Sequence, residues 1–374
     1  MRRLSPCLKT WVLKTKTLCW MTLADRQNNV APKGATLRLG RFGLFSLMLV
    51  WLTACSTTEQ EQLKTVTGLA MGTSYSIKWL PVDSAAEADY ANQINTLIRQ
   101  IEGTMSTYMD ASDLSGLNGA PAGIWHNVPA EMASLIAESQ AISESTDGAF
   151  DITIGPVVDL WGFGPDPKPD TIPSAEQLEA LRPVVGYQQI EVRQDPPAVR
   201  KAKANAIDLS AIAKGYAVDR VAIWLQGQGI EHFMVEIGGE IRTQGEKPKQ
   251  QPWRIAIESP GELAQSVFEV VEVVDRALAT SGNYRNYYEE NGIRYAHTLD
   301  PQTLQPVRHK LASVTVMAES AARADALATA LMVLGEDQGV AWATMNNVPA
   351  YFIIWQDGQF VARQTAGFEE FIQP

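Results

Sequence analysis

The stretch Asp208-Leu209-Ser210-Ala211-Ile212-Ala213-Lys214-Gly215-Tyr216-Ala217-Val218-Asp219 decides how this chain is read. Ala206–Leu209 is a short apolar run that suits a strand, and Ala211–Gln226 carries apolar residues at helical spacing, so strand passes into helix near Ser210. The first helical turn holds small residues and a lysine. Free backbone N–H groups and the partial positive charge of a helix start, with Lys214 added, suit a phosphate. The plainer reading is an N-cap with a solvated lysine, and the stretch alone leaves both open.

On either side, short strands and helices alternate. Val66–Leu80 carries a β-like stretch around Met71–Ile77, while Ala85–Thr104 (Ile94, Leu97, Ile98, Ile101) and Pro129–Ser145 (Met132, Leu135, Ile136, Ile142) have helical spacing. Trp161–Pro173 is a loop rich in Gly and Pro, and Ser174 with Gln177 makes a capping box for a helix to about Leu181. Strands are expected at Gln188–Val192, His232–Ile237, Trp253–Ile257, Val267–Val274 and Leu311–Met317, and a helix at Ser320–Leu334. Tyr284–His297 suits a hairpin turning at Asn291-Gly292, and Ala350–Trp355 with Gln359–Val361 one turning at Asp357-Gly358. No repeat or linker divides positions 66–374. The expected fold is a single α+β domain of mixed sheets with packed helices.

The 374 residues are 45% hydrophobic and 20% charged, which excludes a disordered or collagen-like chain and a multi-span membrane protein. The net charge of -11 conceals an asymmetry: the first 54 residues carry nine Lys or Arg and one acid, Asp25. Positions 55–374 therefore keep 22 basic and 41 acidic residues, a net of −19 that repels a phosphate backbone and argues against nucleic-acid binding. Cys7, Cys19 and Cys55 are the only cysteines, so the body has no disulfide framework, CxxC pair or Cys-ligated zinc.

Arg38 and Arg41 precede the apolar run Phe42–Leu52, which has the length of a signal-peptide core and is short for a membrane span. The run ends in Leu52-Thr53-Ala54-Cys55, which resembles a bacterial lipobox. Signal peptidase II would cut before Cys55, whose thiol would carry a diacylglycerol, and Ser56 to about Thr65 would be a polar tether. The expectation is an exported, lipid-anchored protein facing the periplasm, with 1–54 removed and 66–374 as the folded body. The 37 residues ahead of Arg38 are long for a signal n-region and include Met21, so the true start is expected downstream of Met1.

The common short signatures are missing: no GxxxxGK[ST], HExxH, GxSxG or GxGxxG occurs. Four other clusters could carry chemistry. Gly148-Ala149-Phe150-Asp151-Ile152-Thr153-Ile154-Gly155-Pro156 reverses the chain while presenting a carboxylate and a hydroxyl, although turn chemistry alone would explain it. The Asp208 stretch is the second. Thr280-Ser281-Gly282-Asn283-Tyr284-Arg285, followed by His297-Thr298-Leu299-Asp300-Pro301, is the third. Among His126, His232, His297 and His309, only His297 stands beside a hydroxyl and a carboxylate at a strand end, where an imidazole could deprotonate a hydroxyl. In the fourth, Asp325 and Thr329 share one face of an alanine-rich helix. That is an oxygen-only pair suited to Mg²⁺, or simply packing.

In this order and spacing the clusters resemble the ApbE family of periplasmic FAD:protein FMN transferases, formerly labelled thiamine-biosynthesis lipoproteins. The likeness runs from about Met71 to the C-terminal hairpin. It rests on Met71-Gly72-Thr73, Met105-Ser106-Thr107-Tyr108, Gly148–Asp151, Gly155-Pro156 with Leu160–Gly164, Asp208–Tyr216, Gly238-Gly239, Thr280–Arg285, His297–Pro301 and Asp325 with Thr329. The resemblance implies Mg²⁺-dependent transfer of FMN from FAD to a threonine hydroxyl of a target protein, releasing AMP. It implies FAD contacts from Met71, Tyr108, Ala149, Phe150, Asp151, Asp208, Lys214 and Ile257, the family varying at the lysine position. Mg²⁺ would be held by Asp325, Thr329 and the carbonyls of Ala211 and Ala328. His297 is the nominated base for the acceptor hydroxyl, oriented by Asp300. The implied acceptors are flavin-carrying subunits of the sodium-translocating NADH:quinone reductase or the related Rnf complex. The resemblance suggests the inner membrane, whereas Ser56 next to Cys55 allows the outer one. An FAD pyrophosphatase and a lipid-anchored FAD-binding protein without turnover are the alternatives.

Overall fold

The computed structural model describes residues 62–82, 89–165, 171–261, 266–284, 287–290 and 293–372, within one compact unit, Thr58–Pro374. The signal run, Cys55, Arg285 and the Asn291-Gly292 turn lie outside the described residues. Among the described residues no helix is long and apolar enough to cross a membrane.

The frame is an antiparallel eight-stranded sheet, in the order Lys64–Ala70, Thr73–Trp79, Phe233–Ile237, Glu240–Gln244, Ala277–Gly282, Leu311–Ala318, Ala350–Gln356, Gln359–Gln364. Side chains alternate between its faces. Ala350, Phe352 and Ile354 face one core with Val314 and Val316, whereas Tyr351, Ile353 and Met317 face another. Both faces are covered, so the strand Ala350–Gln356 reads as a continuous apolar run. Over the first face lie the helices Tyr90–Met105, Ala130–Ser145, Ser210–Gly227 and Ala321–Met345, whose buried rows include Ile94, Ile98 and Ile101 and Met132, Leu135 and Ile136. The second face is covered by the hairpin Trp253–Glu258 with Val267–Val273 through Ile255, Ile257, Val271 and Val273. Fully burying each such side chain contributes about 1.5–3 kcal/mol before ordering costs. A third cluster gathers Val157, Trp161, Leu178, Tyr295, Leu299 and Leu304, and closes with the Trp161 indole donating to Leu304 O at 3.0 Å.

Several sequence expectations change. Val66–Leu80 is a hairpin turned at Met71-Gly72, where both residues have positive φ (51° and 72°). Ala206–Leu209 forms no ladder, because its neighbour is a turn: Asp208 N donates to Ile152 O at 2.7 Å. The strands Trp125–Asn127, Pro197–Lys201, Glu240–Gln244 and Ala277–Gly282 are additional, and they are short or rich in polar residues. The helix expected to end at Leu334 continues to Met345 across a kink at Gly335, whose φ of 77° breaks the helical path. The Ser174–Gln177 capping box and the 287–296 hairpin form as expected, and the C-terminal hairpin turns at Asp357-Gly358.

Candidate functional site

A cleft of about 1000 Å³ opens between the Met71-Gly72 turn, the start of helix Ser210–Gly227, the strands Trp253–Glu258 and Ala277–Gly282, and helix Ala321–Met345. All eight residues expected to meet FAD line it: Met71, Tyr108, Ala149, Phe150, Asp151, Asp208, Lys214 and Ile257. Ala211, Asp325, Thr329 and His297 line it too, and His297 is its only histidine among the described residues. Two expected residues fall elsewhere. Ala328 is fully buried in the main core within a continuous stretch of helix, where its carbonyl is committed to the helical ladder. Asp300 caps its own turn, accepting from Gln302 N at 2.8 Å and from Thr303 Oγ1 at 3.0 Å. The ring of Phe163 meets His297 edge-on with centroids 6.4 Å apart.

Local chemistry explains how each group is presented. Asp151 Oδ1 accepts from Thr153 N (2.8 Å) and Thr153 Oγ1 (2.6 Å) while Oδ2 accepts from Tyr187 N (2.8 Å), so this carboxylate holds the 148–156 turn together. Burial pushes its pKa up, against the pull of those donors. Asp208 Oδ1 accepts from Ser210 N at 2.8 Å and so fixes the helix start that the sequence suggested. Tyr108 stands at the cleft mouth with 64% of its surface exposed, an open ring face.

The interior end of the cleft is charged. Lys214 Nζ lies 3.5 Å from Glu240 Oε1 and 3.6 Å from Asp325 Oδ2, and donates to Ser210 O at 3.3 Å. Burial opposes its charge, but the Asp325 and Glu240 carboxylates override that and raise its pKa. Glu240 is pushed up to about 7 by burial, with Lys214 pulling the other way and Asp325 adding to the rise. Asp325 also rises through burial, opposed by Lys214 and by Gly215 N, which donates to Oδ2 at 3.1 Å. Thr329 Oγ1 lies 3.3 Å from Ser281 Oγ. Asp325 and Thr329 thus offer a carboxylate and a hydroxyl to the cleft, and no cluster of three or more His, Cys, Asp or Glu stands ready for a metal among the described residues.

Asp219, the last residue of the opening stretch, has a structural task. Its Oδ1 accepts from Ala321 N at 3.0 Å and its Oδ2 from Ala322 N at 2.9 Å, which caps the helix that carries Asp325. Sequence reasoning passed over this role and also over Glu240. The signal for Glu240 was Gly238-Gly239 immediately before it, two positive-φ glycines that turn the chain at the cleft wall.

A sheet covered on both faces, with a helix start, an acid–lysine cluster and a histidine converging on one cleft, defines an α+β protein built to hold a large polar ligand. The chain belongs to the ApbE family, whose sequence profile matches residues 71–352. It is 40% identical over 330 residues to an FAD:protein FMN transferase of Vibrio cholerae serotype O1, covering 88% of this chain and 98% of the relative. It is 38% identical to the Haemophilus influenzae FAD:protein FMN transferase, covering 86% and 95%. Among solved structures, the flavin transferase ApbE from Vibrio cholerae superposes with a TM-score of 0.76 at 39% identity, over 83% of this chain and 99% of that one. The apo Pseudomonas stutzeri flavinyl transferase ApbE gives 0.77 at 40% identity, over 84% and 98%.

Proposed function

We propose that this chain is an FAD:protein FMN transferase that moves FMN from FAD to a threonine hydroxyl of a partner protein and releases AMP, with Mg²⁺ at the Asp325–Thr329 pair. The observation that carries the reading is the meeting of Tyr108, the Ser210 helix start, His297 and Asp325 in one cleft, in a chain whose relatives bear that name. The residues suit Mg²⁺: the donors are all oxygen, and the buried Glu240 Oε2 nearby has no hydrogen-bond partner. Asp325, Thr329 and the Ala211 carbonyl would hold the cation. When bound, it would supply positive charge at the pyrophosphate being cleaved.

This chain's own groups do the rest. The Tyr108 ring offers a stacking face for an aromatic ring system, and Asp151 and Asp208 fix the walls against which FAD lies. The positive end of helix Ser210–Gly227 faces the phosphates. The imidazole of His297 takes the proton from the threonine Oγ as that oxygen bonds to the FMN phosphorus, and the bridging oxygen departs with AMP. Membrane attachment would come from lipid on Cys55 after export to the periplasm, where flavin-carrying subunits of the sodium-translocating NADH:quinone reductase or Rnf complex are the expected acceptors.

Co-expression with such a subunit, followed by mass spectrometry of its threonine, tests the reading. An FMN adduct that needs Mg²⁺ is expected. Free FMN and AMP without an adduct would make the protein a pyrophosphatase, and FAD held unchanged would make it a binding protein.

A further inference from the structure

Lys214 presses against the carboxylate that the proposed reading assigns to a cation. Its ammonium is 3.6 Å from Asp325 Oδ2, and Gly215, the next residue, donates its N–H to the same oxygen. An ammonium and a divalent cation cannot share one carboxylate oxygen without strong repulsion. The second neighbour of Lys214 is Glu240, which is 4% exposed. One of its oxygens, Oε1, lies 3.5 Å from the ammonium, and the other, Oε2, is buried with no hydrogen-bond partner. A buried carboxylate oxygen without a donor is costly, and an ammonium with three donors is suited to relieve it. Gly238 gives the lysine room to shift. A Cβ there would stand 3.1 Å from Glu240 Oε2 and 3.3 Å from Lys214 Cδ.

We propose that Glu240 is a positioning residue that draws the Lys214 ammonium off Asp325 as a divalent cation arrives, so that Lys214 competes with the cation and Glu240 decides how strongly. The inference rests on the metal reading above. Its consequence is a change of sign in the cleft: with both carboxyls ionised, Asp325, Glu240 and Lys214 carry one net negative charge, and adding a divalent cation makes the same cluster positive, as an anionic pyrophosphate requires. In a body this acidic, dinucleotide binding then depends on the cation, with Lys214 kept near instead of expelled.

The test is Mn²⁺ binding to the full chain, with free Mn²⁺ read by electron paramagnetic resonance and folding checked by circular dichroism. Lys214→Met is expected to tighten Mn²⁺ about tenfold by removing the competitor. Glu240→Gln is expected to weaken it about tenfold in the wild-type background and clearly less in the Lys214→Met background, the pattern of an effect routed through the lysine. Wild-type affinity in Lys214→Met, or equal effects of Glu240→Gln in both backgrounds, overturns the proposal. If Lys214→Met does not fold, Lys214→Arg keeps the charge and can fork across both carboxylates. Weaker Mn²⁺ binding is then expected, and unchanged binding overturns the proposal. Failure of the metal reading looks different: Asp325→Ala would bind Mn²⁺ as tightly as wild type.

Discussion

Replacing Gly215 by alanine tests whether the close approach of helices Ser210–Gly227 and Ala321–Met345 sets the cleft. A Cβ at position 215 would stand 2.2 Å from Ala321 O, 2.5 Å from Ala321 C and 2.6 Å from Ala322 N. All three are backbone atoms, so no side chain can rotate away. To restore an ordinary contact the helices must part by about 1 Å, and overpacking of this kind costs about 1–3 kcal/mol. The upper half of that range is expected, because parting also stretches the Asp219 cap on Ala321 N and Ala322 N and the bond from Gly215 N to Asp325. For a domain of this size each kcal/mol lowers Tm by about 2 °C, giving a fall of about 4–6 °C. Asp325 would move by a similar distance from Ala211 and Lys214, and a displacement of about 1 Å can cost about 100-fold in rate. Thermal melts by circular dichroism and initial rates of FMN transfer at saturating FAD check both numbers. A variant that melts within about 1 °C of wild type and transfers within about twofold would refute the claim that this contact positions the site.

His309 and His297 supply two further expectations. Burial lowers the pKa of His309, against the pull of the Met332 carbonyl at 2.6 Å and the Glu336 carboxylate at 3.7 Å, so folding disfavours the protonated ring. Its stability contribution is then complete above the unfolded histidine value of about 6.5 and is lost as pH falls below it. Melts at pH 7 and pH 5.5 should show a steeper acid loss in wild type than in His309→Gln, and parallel losses would remove His309 as the cause. His297→Asn should slow FMN transfer by about 100-fold or more while leaving FAD affinity within about threefold. Equal losses in both would make His297 structural.

What the sequence revealed followed from local rules. The Ser174–Gln177 box needs only two side chains and their own backbone, and the face Met132, Leu135, Ile136 needs only helical period, so both were readable. Glu240–Gln244 was not, because Ile241 is its only large apolar residue and its strand character comes from partners distant in sequence. Ala206–Leu209 failed in the opposite direction, since its apolar character serves burial beside a turn instead of a ladder. For the site, spacing and family likeness together named the cleft residues, whereas Asp300 looked like a partner of His297 only because it is near in sequence. Its carboxylate answers first to the turn it starts.

The strand order carries a consequence for how the protein reaches its working state. Thr73–Trp79 pairs with Phe233–Ile237, and Glu240–Gln244 with Ala277–Gly282, so the cleft wall joins segments separated by long stretches of chain. Pairings of that kind form slowly, after the loops between them have closed. Met71, Lys214, His297 and Asp325 come from segments far apart in the chain, so they meet only as these long-range pairings form. A ligand that binds there adds its binding free energy to the folding of the entire unit, so the nucleotide this protein consumes also acts as a staple for its own fold.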